Sequence, residues 1–315
     1  MINTTQLSFF TLAGYFDTGR VTYLCFIVIL ALYIFIVGSN VLLIVVICVN
    51  RSLHEPMYMF LCSLTSLFPL LLLHIICDIN IISASLCYLQ IYCIHCYGSA
   101  EYLNLAVMSY DRYLAICFPL HYNTYMTPKR IAILIAITWL YAILACALMI
   151  SLSSTLPLCG NIIDKVYCDN YSVIKLACSD TKALNIYGII IVLCTVCCPL
   201  IFMLYTYIKI LRVCSSGSKQ VRQKAVTTCS PHLACVLNFS CGACFEILQS
   251  RFNMSGVPIL LRIFLSLYWL ISQPLLNPLV YGLNMTKIRI LFLHDDPRHT
   301  FSKEFLGFGY TLSQP

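Results

Sequence analysis

Seven stretches of this chain are each long and apolar enough to cross a lipid bilayer, and that constrains its fold more than any other feature. They fall at roughly 22–49, 57–78, 88–117, 130–152, 185–211, 223–249 and 259–283. A helix rises about 1.5 Å per residue and the hydrocarbon core is about 30 Å thick, so about 20 apolar residues suffice for each crossing. The chain is 60% hydrophobic and 10% charged, with a mean hydropathy of +0.87. A soluble protein of 315 residues cannot hide that much apolar surface. The expected fold is all-α, a seven-transmembrane helix bundle. Polar residues in the third, fifth and sixth windows point to helices packed on one another rather than facing lipid all round.

Orientation follows from the basic residues. With the N-terminus outside, the inner segments hold Arg51, Arg112, Lys129, Arg130, Lys209, Arg212, Lys219, Arg222, Lys224, Lys287, Arg289, Arg298 and Lys303, which is 13 of the 19 Lys plus Arg. That bias fits N-out, C-in. The net charge of +7 therefore belongs to cytoplasmic loops near anionic lipid. No basic tract is interleaved with aromatics as a nucleic-acid groove requires. The first twenty residues lack the basic start and apolar core of a cleavable signal. Asn3-Thr4-Thr5 is a glycosylation acceptor, consistent with an outer N-terminus.

Of the twenty cysteines, most lie inside spans, where a thiol acts as a small apolar group. Cys87, Cys159, Cys168 and Cys178 fall on the oxidising outer side and are disulfide candidates; four cysteines allow three pairings. Cys194/Cys197 and Cys241/Cys244 lie within apolar spans and have no second pair at zinc-ligand spacing, so no metal site is expected. Most connecting loops are short. The exception is Ser153 to Thr181, about 29 residues, and a loop that long usually carries function.

Asp111 and Arg112 stand side by side where the third span ends, in the string Met108 to Pro119, MSYDRYLAICFP. Such a pair is costly unless the charges meet each other or reach water. Alone it would be an ordinary ion pair at a helix end. It is not alone. Gly38-Ser39-Asn40 lies in the first span, and Pro56-Met57-Tyr58-Met59-Phe60-Leu61 opens the second. Phe118-Pro119-Leu120-His121-Tyr122 follows the third, Lys224 to Leu233 (KAVTTCSPHL) opens the sixth, and Pro274 to Tyr281 (PLLNPLVY) closes the seventh. Five strings in this order, each at a span end, make the chain resemble the odorant receptors among the rhodopsin-like G-protein-coupled receptors. The outer loop from Leu158 to Thr181 looks most like the fish branch.

The resemblance implies a two-state switch in which Asp111 holds Arg112 at rest. On activation Arg112 would swing into a cavity that accepts a G-protein α subunit of the olfactory, stimulatory type. Tyr113 completes the triplet. Tyr207 and Tyr281 match positions that turn inward to steady Arg112, although belt tyrosines are common at bilayer interfaces. Lys224 and His232 lie where the family contacts the G protein or a neighbouring helix; a plain positive-inside anchor reads Lys224 equally well. Asn277-Pro278 fits a helix kink. The resemblance also implies Cys87–Cys168 and Cys159–Cys178 disulfides, and no cofactor. The localisation expected is the plasma membrane, as a multi-pass protein.

For the ligand, His95, Gly98, Ser99 and Tyr102 share adjoining faces in the outer half of the third span. Asn185, Tyr187, Phe245, Glu246, Arg262, Tyr268 and Trp269 are further candidates. A few polar groups in an apolar pocket suit small, sparingly charged molecules, and for any one of these residues helix–helix hydrogen bonding is the plainer alternative.

The chain departs from the family in two places. From Pro56 to Cys87 there are 31 positions, about two helical turns fewer than relatives have. The missing piece would include an acidic residue that helps hold a sodium ion, leaving Glu101 as what remains of a weak site. Impaired signalling is therefore the alternative expectation. The tail from 291 to 315 turns into LFLHDDP instead of a basic amphipathic helix; a changed reading frame or splice product would account for it. A transporter or channel would need inverted repeats or a continuous ionisable path, and an enzyme would need HExxH, GxSxG or an intramembrane Asp pair; none is present.

Overall fold

A computed structural model describes residues 8–13, 21–49, 81–165 and 167–251, with isolated positions at 257–258, 261, 264–265, 267–268 and 271–276. The second window and the tail lie outside the described residues, as do Asn3 and most of the seventh window. The main helices are α1 Val21–Val49, α2 Ala84–Cys117, α4 Pro128–Ser154, α6 Lys182–Val192 with α7 Cys198–Ser216, and α8 Lys219–Arg251. Short helices α3 (Tyr122–Tyr125) and α5 (Asn170–Lys175) lie in the loops between them.

Local chemistry sets these ends. Ser83 caps α2 by accepting the Leu86 N–H at 3.3 Å. The helix stops at Cys117 because Pro119 disfavours helical backbone in the residue before it. Thr127 caps α4, and Pro128 sits at the first helical position, where a missing N–H costs nothing. Between α6 and α7 the chain makes a π-turn over Leu193–Cys197, one residue wider than an α-turn.

Burial separates the helices by role. Helix α2 buries residues around its whole circumference and is packed by α4, α7 and α8. In α4, by contrast, Ile133, Ile137, Leu140, Leu144 and Leu148 form an exposed stripe at helical spacing. A stripe of that kind faces lipid, since water would not tolerate it. The central core joins Leu43, Tyr102, Leu105, Met108, Ile131, Met203, Val236 and Phe239. Single polar bonds pin the helices in register: Asn40 donates to the Pro274 carbonyl at 2.9 Å, and Thr138 donates to Asn104 at 3.1 Å.

The outer end carries a cap that the apolar windows did not foretell. Strand β1 (Phe9–Leu12) lies between β2 (Ile81–Ser83) and β3 (Ile162–Ile163), antiparallel to the first and parallel to the second. Phe10 is fully buried and meets Tyr88 edge-on at 6.3 Å. Both expected disulfides form. Cys87–Cys168 hangs the long loop from the top of α2, and Cys159–Cys178 closes the loop on itself beside a Leu158–Ala177 bridge.

Candidate functional site

Two polar constellations stand out, one at each end of α2. At the inner end Asp111 is wholly buried and Arg112 is 7% exposed. The Arg112 Nε donates to Asp111 Oδ2 at 2.9 Å, and Nη2 donates to the same oxygen. The Tyr122 hydroxyl, from α3, donates to Asp111 Oδ1 at 2.7 Å. Both carboxylate oxygens are thus engaged, one by the guanidinium and one by the inner loop. Tyr113 is half-buried and packs edge-on against Phe118 at 5.6 Å.

One turn deeper, three helices meet at His232. Its Nε2 lies 2.9 Å from the Leu105 carbonyl of α2, which can only accept, so Nε2 carries the proton. Nδ1 is then the acceptor for the Tyr207 hydroxyl of α7 at 2.5 Å. The imidazole is fully buried and bridges α2, α7 and α8 through both nitrogens. Tyr207 therefore spends its hydroxyl on His232, in a core with Ile210, Cys214, Ala225 and Cys229.

At the outer end, Lys165 and Tyr167 in the loop both donate to Glu246 Oε1 of α8, the tyrosine at 2.7 Å. Lys165 also lies 3.5 Å from Asp169. Asp169 in turn caps α5, accepting the Ser172 N–H and hydroxyl, each at 3.1 Å. Burial alone would pull the Lys165 ammonium down, but Asp169 and Glu246 outweigh it and hold it above its ordinary value. Burial likewise opposes ionisation of Asp169, yet Lys165, His95 and the Ser172 bonds hold its carboxyl below the usual range. Burial, reinforced by Glu246 and Asp169, pushes the Tyr167 phenol well up. The Cys168 N–H donates to Gln90 of α2 at 2.9 Å, fixing this stretch across the outer mouth.

The family model described as olfactory receptor matches residues 28–294. The chain belongs to the olfactory receptor family. Olfactory receptor 11A1 of Homo sapiens is 36% identical over 89% of this chain and 90% of its own length. Olfactory receptor 6N1 of Homo sapiens is 33% identical over 91% and 94%, and olfactory receptor 4B13 of Mus musculus 31% over the same shares. Squid rhodopsin has the same fold, with a TM-score of 0.67 at 18% identity, covering 88% of this chain and 85% of that one. The chain is thus a multi-pass membrane receptor with the fold of squid rhodopsin, and not an enzyme.

The olfactory receptor places its sequence-derived candidates unevenly. Tyr102 is buried, bonds Ser240 at 2.9 Å and lies against Phe239; Gly98 is buried, and His95 and Ser99 are half-buried on the same helix. Tyr187 donates to the Ala145 carbonyl at 2.8 Å, a helix–helix bond. Asn185 is exposed and bonds back to Thr181, away from the others. Phe245 and Glu246 are half-buried near the outer end of α8. Tyr268 donates to Asn238 at 2.6 Å, which itself bonds Ser272. Glu101 is fully buried and accepts from Tyr97 one turn earlier. Among the described residues no three His, Cys, Asp or Glu side chains cluster as a metal site. Asn277, Pro278, Tyr281, Arg262 and Trp269 lie outside the described residues, as does the side chain of Lys224. Sequence reasoning missed Tyr122, Lys165 and Tyr167. Tyr122 stood in a quoted string without a role, and the two loop residues had no spacing relation to α8 that a sequence displays.

Proposed function

We propose that this receptor binds a small odorant in the outer half of its bundle and activates a heterotrimeric G protein through Asp111, Arg112 and Tyr113. The observation that carries the reading is the buried Arg112–Asp111 pair, closed from the loop side by Tyr122. Packed helix interfaces switch between discrete arrangements rather than deforming continuously, and this pair sits in one of them. At rest Arg112 is held on Asp111, and the His232 bridge holds α7 and α8 against α2. A ligand that favours the other arrangement shifts the population by its difference in affinity for the two.

In this reading Lys224, Tyr207, His232, Asn277, Pro278 and Tyr281 serve the switch and the G-protein face, and the α subunit is the stimulatory olfactory type. His95, Gly98, Ser99, Tyr102, Tyr187, Phe245, Glu246, Arg262 and Tyr268 line or border the ligand space, with Asn185 at its edge. The receptor domain is 1–290, the tail 291–315 is cytoplasmic, Asn3 is glycosylated and the site of action is the plasma membrane. The shortened second span favours a second reading, a family member that reaches the membrane but signals weakly and has at most a weak sodium site at Glu101.

The test is nucleotide exchange on a purified stimulatory α subunit by the full chain in nanodiscs, across a small-odorant panel. Stimulated exchange that vanishes in Arg112→Ala supports the first reading. Exchange that survives Arg112→Ala overturns it. Correctly inserted protein with no exchange for any odorant supports the second.

A further inference from the structure

Two thiols from different helices touch in the outer half of the bundle. Cys96 of α2 and Cys146 of α4 are both free and both buried, 6% and 3% exposed. Their side chains are hydrogen-bonded to each other; Cys96 is also bonded to Tyr92, and Cys146 to Ser99. One turn further in, Ala100 and Ala142 are fully buried in the same cluster. Neither alanine has a side chain beyond Cβ, so the two helices close on each other at this level. A disulfide needs its Cα atoms within about 7 Å, and small residues at a crossing are what bring two helices that near.

Packing alone does not ask for this arrangement. A thiol in an apolar span serves as a small apolar residue, and alanine already fills that role at 100 and 142. At 96 and 146 sulfur meets sulfur instead, which is the contact that a two-electron oxidant can close. Tyr92 and Ser99 are only half-buried, so the pair is not sealed from a small uncharged molecule. We propose that Cys96 and Cys146 form an oxidation site, a dithiol that hydrogen peroxide converts to a disulfide joining α2 to α4. One sulfur attacks the peroxide O–O bond and becomes a sulfenic acid, and the other oxygen leaves as water with that thiol's proton. The second sulfur then displaces the sulfenic hydroxyl, which leaves as water with the second thiol's proton, and the S–S bond forms. The two sulfurs give up two electrons and the peroxide takes them. A reducing dithiol reverses the step by exchange. The closed pair ties α2, the helix that carries Arg112, covalently to α4. This site does not depend on the function proposed above.

The experiment uses the full chain in nanodiscs, treated with hydrogen peroxide or with buffer. Free thiols are then blocked with N-ethylmaleimide in denaturant, and the digest is read by mass spectrometry. Peroxide produces a peptide pair linked through Cys96 and Cys146, which dithiothreitol separates. It also raises the unfolding temperature of the unaltered chain by about 5 °C, the scale of one added disulfide. Cys96→Ala and Cys146→Ala each abolish that rise, whereas Cys93→Ala, which removes the neighbouring thiol on α2, keeps it. Where a variant at 96 or 146 does not fold, the linked peptide from the unaltered chain decides. Absence of that peptide after peroxide, or linkage of Cys96 or Cys146 to a different cysteine, overturns the proposal. So does a linked peptide as abundant before peroxide as after it, since the pair is then a fixed disulfide. A linked peptide with no rise in unfolding temperature overturns it too, because the bond then forms only in unfolded chain.

Discussion

At the scale of single residues, the inner switch depends on oxygen atoms already spoken for. The Tyr122 hydroxyl is the partner of Asp111 Oδ1, so Tyr122→Phe removes a bond to a buried charge. Such bonds contribute about 1.5–3 kcal/mol, so the ratio of resting to active receptor falls about tenfold or more. Basal nucleotide exchange without odorant rises accordingly; basal exchange equal to the unaltered chain would show that the hydroxyl does not hold the resting state. Tyr207 and His232 allow a stricter test, because they share one bond at 2.5 Å. A double-mutant cycle of Tyr207→Phe and His232→Ala, read by thermal unfolding, gives a coupling of about 0.5–3 kcal/mol. Strictly additive losses would mean that the bridge carries no energy. Asp111, Arg112 and His232 were legible in the sequence because each sits in a string with a fixed place at a span end, whereas Tyr207 came only from the family resemblance. Their partners were not. Which hydroxyl meets which carboxylate depends on loop geometry, and the role of Tyr122 required the chain to double back after Pro119.

At the scale of elements, the helices follow from hydropathy alone, because an apolar run of about 20 residues has few alternatives in a bilayer. Helices run through the windows that open at 22, 88, 130, 185 and 223, each beginning one to four residues earlier, where capping and polar flanking residues extend the first turn. Strands of two to four residues escape this logic, since their pairing is decided by chain segments about 70 to 150 residues apart. The π-turn at Leu193–Cys197 was equally invisible, as nothing in LCTVC marks an extra residue. It matters because one residue corresponds to a rotation of about 100°. It sets the face that carries Tyr187, bonded to α4, against the face that carries Tyr207, bonded to α8. Deleting the exposed Cys194 returns the segment to α-helical register and puts the two faces out of phase. The expected outcome is correct membrane insertion with ligand-stimulated exchange reduced about tenfold or more, as for a lost near-neutral contact plus a lost bond. A deletion variant with full response would show that the outer and inner halves of this span do not need to be phased.

At the scale of the whole molecule, the bundle is asymmetric along the membrane normal. Its middle is held by packing against a lipid-facing belt, its inner end by a charge pair and an imidazole bridge, and its outer end by a covalently tethered cap. Among the described residues the cap holds buried ions at the outer rim, so it is where the fold meets external pH. The relevant groups are Lys165, Asp169 and Tyr167, faced by His95 from α2, Glu246 from α8 and Ser172 from α5. Asp169 is held below its ordinary value of 3.8. Its contribution is therefore present above that value and lost as the pH falls through the lower folded one. Lys165 is held above 10.5, so its contribution is present below that value and lost as the pH rises through the higher folded one. Between these limits the two loop groups stay charged and the loop holds its place. The readout is amide exchange at Ser172 and Val173, whose N–H groups bond the Asp169 side chain and carbonyl. After correction for intrinsic rates, their protection stays level from about pH 5 to pH 9 and falls below about pH 4. Asp169→Asn removes the acid-side fall while keeping an acceptor for the Ser172 N–H. If protection in the unaltered chain already collapses near pH 6, a buried imidazole rather than the carboxylate governs the cap, and the ion pairs across the outer mouth do not secure it.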